Sequence, residues 1–179
     1  MTALGVTMAD LQALAKQKAE AERQKLLVSL PGEIQALQRQ LAAKGSLASG
    51  AMLKQVLAVC QEAITKQGKS IASEYQWAVN HSLFASQSWV ERLVADGPLI
   101  LLPLYDAAVA QVSKATQIAG MPSVTERLLS DLAETRSVTE ADVALALRSA
   151  FAEKHRGLIR SLPSSLLRLI LKPFTGGTP

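Results

Sequence analysis

The chain has 179 residues, of which 49% are hydrophobic and 19% charged, and its formal net charge is +4. That balance excludes an intrinsically disordered chain, and the length suffices for a core without disulfide or metal staples. Aromatic residues make up only 4% and the apolar mass is mostly Leu, Ala, Val and Ile, which favours helices over sheets.

Cys60 is the single cysteine, so no intrachain disulfide can form, and a reducing compartment fits. Residues 1–11 show neither a basic n-region nor a long apolar h-region, so no secretory signal is expected. The expected location is cytoplasmic, including the membrane periphery or an assembled particle.

Residues 7–30 read as a first helix. Thr7 and Asp10 make a capping-box start, with Asp where Glu is usual. The middle of this helix is Ala and charge, which predicts a solvated outer helix or a projecting arm. Pro31-Gly32 predicts a break. A short helix with Ile34, Leu37 and Leu41 on one face then ends at Lys44-Gly45-Ser46.

Met52–Val94 is the longest periodic stretch. Leu53, Val56, Cys60, Ile64, Ile71, Tyr75, Ala78, Ser82, Ala85, Trp89 and Leu93 hold roughly one helical phase across Gly68. One long central helix is expected, closed by Asp96-Gly97-Pro98. Leu99–Tyr105 is the most apolar run, seven residues before Asp106. A bilayer span needs about 20 such residues, so a buried helix with Pro103 near its first turn is expected. Gly120-Met121-Pro122 marks the next break. Ser123 with Glu126 and Ser137 with Glu140 are capping boxes that predict two further helices. Gly157 loosens the second, and Pro163 opens a last short one.

The reading is an all-α protein: a multi-helix bundle of six to eight helices around one long central helix, with no sheet. Residues 1–45 form an N-terminal helical arm or hairpin, 46–160 the helical core, and 161–179 a basic amphipathic segment.

No catalytic constellation emerges. The metal-ligand candidates Cys60, His81 and His155 show no CxxC, HxxxH or ExxH spacing. Cys60 and His81 lie 21 residues apart, about 30 Å along a helix, so they do not form a Cys–His pair. No G-x-S-x-G elbow or phosphate-binding loop is present. Trp77, His81 and Phe84 form a helical cluster that is a candidate pocket, although core packing explains it as well. The expectation is a non-enzymatic protein without a cofactor or metal.

Charge is concentrated toward one end. Lys154, Arg156, Arg160, Arg168 and Lys172 follow Glu153 with no further acid, so residues 154–179 carry +5 and residues 1–153 carry −1. Leu162, Leu166, Leu169 and Ile170 share one face of a short helix, with Phe174 just beyond. Arg168 and Lys172 lie opposite. So short a helix is marginal alone and needs a surface to fold against. These residues suggest docking: Leu162, Leu166, Leu169, Ile170 and Phe174 as apolar anchors, and the five cations as anion contacts. The expected partner is a second copy or another protein, with peripheral contact to an anionic membrane also compatible. The alternative is nucleic-acid binding through this end and through Lys44, Lys54, Lys66 and Lys69.

Overall fold

The computed structural model describes residues 7–161, with side chains as far as Arg156. They form four α-helices: α1, Met8–Ala43; α2, Gly50–His81; α3, Gln87–Ile118; and α4, Thr125–Ser161. A 3₁₀ turn, Pro122–Val124, precedes α4. No strand occurs among the described residues. The all-α expectation holds; the described residues form four long helices where six to eight helices around one long central helix were expected.

The links 44–49, 82–86 and 119–121 are short, so successive helices run antiparallel. α2 and α3 lie against each other, and each touches both α1 and α4. α1 and α4 occupy opposite flanks and do not touch among the described residues. One end of the bundle therefore gathers the start of α1, the end of α2, the start of α3 and the end of α4.

Side chains close the helix ends. Thr7 and Asp10 form the expected capping box: the Asp10 amide donates to Thr7 Oγ1 (3.2 Å) and the Thr7 amide to the Asp10 carboxylate (2.9 Å). Ser49 and Ser86 cap α2 and α3 through the amides of Met52 and Trp89. At the opposite end Gly45 (φ 66°) and Gly120 (φ 67°) turn the chain in the left-handed region, which favours glycine. Ser46 N–H reaches Leu41 O and Met121 N–H reaches Thr116 O, the hydrogen bonds of a Schellman turn.

The expected breaks at Pro31-Gly32 and Asp96-Gly97-Pro98 are not helix ends, and Pro103 lies well inside α3 rather than in its first turn. The helices continue because apolar anchors hold both sides of each breaker. Leu30 and Ile34 are buried around Pro31, and Leu93 and Ile100 around Gly97-Pro98. Tertiary packing here outweighs local propensity. The Ser137 capping box likewise lies within α4, between the buried Leu132 and Val143.

The expected central helix is split. α2 stops at His81, and the chain reverses through Ser82–Ser86 before α3 starts. The side chains assigned to one stripe face one core from two antiparallel helices. Ser82 is buried as a cap, and Trp89 and Leu93 are buried from α3.

The Ala-rich middle of α1 is also not a solvated surface. Ala15 and Ala19 are fully buried, in line with Leu11, Leu26, Leu30 and Leu41. The intervals Ala15–Leu26, Ala19–Leu30 and Leu30–Leu41 are each eleven residues, close to three whole helical turns, so the stripe stays straight. Small side chains let α1 approach closely enough for Gln67 of α2 to donate to Ala19 O (2.9 Å). Gly68 does the same between α2 and α4, where a Cβ would overlap the Thr139 methyl.

By length and composition α3 is apolar enough to cross a membrane: its most apolar 18-residue window has mean hydropathy 1.5, with 33% of that window buried. In the fold its buried Val90, Leu93, Ile100, Leu101, Leu104, Ala108 and Val112 belong to the shared core.

Candidate functional site

The candidate site is the bundle end where α2 hands over to α3. α2 leaves its last carbonyls without helical partners. Lys154 of α4 reaches across and places its ammonium, with three N–H donors, within hydrogen-bond distance of Val79 O (2.6 Å), Asn80 O (3.1 Å), Ser82 O and Ser82 Oγ (3.1 Å). A cation at a helix C-terminus is favourable. Burial lowers the Lys154 pKa below the ordinary lysine value. Ser82 Oγ also donates to Val79 O (2.8 Å), and Ser86 closes the loop by capping α3.

This braced loop carries two apolar side chains outward. Leu83 is 80% exposed and Phe84 82%. His81 and Arg156 are exposed beside them, and α4 continues seven residues past Lys154, about 10 Å of helix. Phe151 packs edge-on to His155 at 4.3 Å between ring centroids.

The candidate pocket of Trp77, His81 and Phe84 is not assembled. Trp77 and His81 pair at 4.8 Å, His81 Nδ1 lies 2.9 Å from Trp77 O, and Lys18 of α1 covers the Trp77 ring at 4.7 Å. Phe84 points away with the loop. Leu83 was not singled out in the sequence. Its signal was the apolar pair flanked by Ser82 and Ser86, both capping residue types.

Of the expected anion contacts, Lys154 is engaged inside the bundle and Arg156 is exposed. Arg160 lies in the last turn of α4, beyond the described side chains. Arg168, Lys172, Leu162, Leu166, Leu169, Ile170 and Phe174 lie outside the described residues. The second basic region disperses. Lys66 sits in the α1–α2 groove 3.8 Å from Glu22, Lys69 lines the α2–α4 groove, and Lys44 caps α1.

Cys60 is buried with its Sγ 3.9 Å from Ala108 O, and burial pushes its pKa up to about 12, so it is a core thiol. Among the described residues no three His, Cys, Asp or Glu side chains come together in a metal-binding group. The α1–α3 seam holds a polar relay: Trp89 Nε1 donates to Gln12 Oε1 (3.1 Å), and Gln12 Nε2 donates to Asp96 (2.9 Å). Burial first, then the charges of Asp96 and Glu20, hold the Tyr75 phenol above its ordinary pKa. Gln12, Trp89 and Asp96 thus tie α1 to α3. A surface groove of about 510 Å³ runs between α2 and α4, edged by Gln61, Thr65, Asp131, Glu134 and Asp142.

Comparison of the chain with protein-family models, curated proteins and solved structures found no match.

Proposed function

We propose that this protein is a non-enzymatic docking and assembly module. The four-helix bundle is its platform, and the basic amphipathic stretch after α4 is its docking element. The observation that carries this reading is the Lys154 clamp. By that point α4 has contributed Leu132, Val143, Leu147 and Ala150 to the core and closed the end of α2. Residues 162–174 follow this clamp with six Leu or Ile and two cations in need of a surface. Self-association is part of the reading, because one exposed end per subunit suits a symmetric contact.

Deleting Pro163–Pro179 tests it. The shortened chain is expected to keep the helical signal and cooperative melting of the full chain while losing self-association in sedimentation, or losing capture by its partner surface. Unfolding on deletion would make the segment part of the core and end this reading. Salt-sensitive binding of the full chain to DNA would put nucleic-acid recognition in its place.

A further inference from the structure

We infer that the outward face of α3 pairs antiparallel with the same face of a second copy of this chain. The contact lies apart from the stretch after α4 and goes beyond the docking reading: this face makes the pair, and the docking element acts on what the pair meets next. α3 keeps much of its apolar surface uncovered. Only 33% of its most apolar 18-residue window is buried, at mean hydropathy 1.5. Leu99 is 64% exposed and Leu102 38%, and Ala95, Pro103 and Ala110 are exposed in the same row. α1 and α4 flank α3 without touching each other, and they leave this face open between them. Its centre carries no charge, because no Asp, Glu, Lys, Arg or His stands between Asp96 and Asp106. Arg23 of α1 and Arg136 of α4 reach α3 at its edges, and both are engaged inside the bundle. Arg23 donates to Ile100 O (3.3 Å), and Arg136 lies over the Tyr105 ring (4.8 Å) and bonds Glu140 (2.7 Å).

Charge selects the occupant. Arg92 and Asp106 are exposed, and each lies seven residues from Leu99, about 10 Å to either side. Seven residues fall about 20° short of two full turns, so Arg92, Leu99 and Asp106 share one row. Among the described residues neither Arg92 nor Asp106 forms an ion pair. A two-fold axis at Leu99 sets the two Leu99 side chains together, Arg92 against the partner's Asp106, and Asp106 against the partner's Arg92. An anionic lipid surface would accept Arg92 and repel Asp106. The chain's own stretch after Glu153, with cations and no acid, would do the reverse. An antiparallel copy satisfies both. Burial of Leu99 and Leu102 from two copies supplies the attraction, and the paired charges set direction and register.

The test is sedimentation of the full chain and its variants. The wild type is expected to run as a dimer. Arg92→Asp makes the face acidic at both ends, and Asp106→Arg makes it basic at both ends. Each variant alone is expected to pair about tenfold or more weakly. An equal mixture of the two is expected to recover dimers, as is Arg92→Asp/Asp106→Arg in one chain, because opposite charges then face each other again. A merely structural role would not produce this rescue. Leu99→Asn is expected to weaken pairing about tenfold or more in either charge background. All variants should keep the helical signal of the wild type, because the three side chains are exposed.

A monomeric wild type overturns the inference. So do single charge variants that pair like the wild type, or a mixture that stays monomeric. A wild type that is monomeric in buffer and co-floats with neutral phosphatidylcholine vesicles, with Leu99→Asn abolishing flotation, assigns the face to lipid instead. If the Pro163–Pro179 deletion is monomeric while Arg92→Asp pairs normally, the docking reading stands and the α3 contact falls. If the deletion still pairs and Arg92→Asp does not, the α3 contact stands whatever the fate of the docking reading.

Discussion

At the scale of single residues, Gly68 decides how closely two helices meet. It sits inside α2, where Ala would raise helix propensity by about 1 kcal/mol. Yet a Cβ there overlaps Thr139 Cγ2, and that methyl cannot swing away easily. Thr139 is β-branched, and its hydroxyl donates to Thr135 O at 2.8 Å. Overpacking of this kind costs about 1–3 kcal/mol and outweighs the propensity gain. Gly68→Ala is therefore expected to lower stability in urea melts. Adding Thr139→Ser removes the obstructing methyl, keeps the hydroxyl bond, and is expected to recover most of the loss. Failure of this rescue would mean that α2 and α4 are not in this register.

At the scale of helices, α1 shows what the sequence disclosed and what it concealed. Its Thr7–Asp10 start and its stop at Gly45 were legible, because capping chemistry is local. Its continuity through Pro31-Gly32 and its buried Ala15–Ala19 stripe were not. Both depend on which neighbour lies opposite, and no local rule supplies that. The same reason hid the reversal at Ser82–Ser86: the side-chain phase survives it, since α2 and α3 face one core. Two substitutions separate these effects. Ala19→Leu fills a fully buried position against α2 and is expected to cost about 1–3 kcal/mol. Gly32→Ala enters open space in an exposed helix interior and is expected to gain about 0.5–1 kcal/mol. A neutral Ala19→Leu in thermal melts would place the middle of α1 in solvent after all.

At the scale of the molecule, the all-α class was legible from composition, and the candidate site only in part. The concentration of cations was plain in the sequence, but the exposed Leu83-Phe84 loop required knowing where the chain turns. Both carboxylates held below the ordinary range also lie at this end: Glu91 through its hydrogen bonds from Arg148, and Asp10 through those from Thr7. A carboxylate with a lowered folded pKa contributes stability that is full above its ordinary value and lost as pH falls through the lowered one. Acid is thus expected to loosen this end of the bundle. Melting temperature should begin to fall as the pH drops below the ordinary carboxylate range. The gap between wild type and Glu91→Gln should close over the same interval. A gap that persisted into strong acid would show that the Arg148 contact contributes nothing through charge.

The two left-handed turns at Gly45 and Gly120 give the molecule a usable polarity. They lie at the opposite end from Leu83 and Phe84, and Ala48 and Gly120 are exposed there. A dye, an affinity handle or an immobilising linker placed in the 46–48 link would leave the capped end unobstructed. Subunits tethered by that link would all present Leu83, Phe84 and Arg156 in one direction, as an oriented layer.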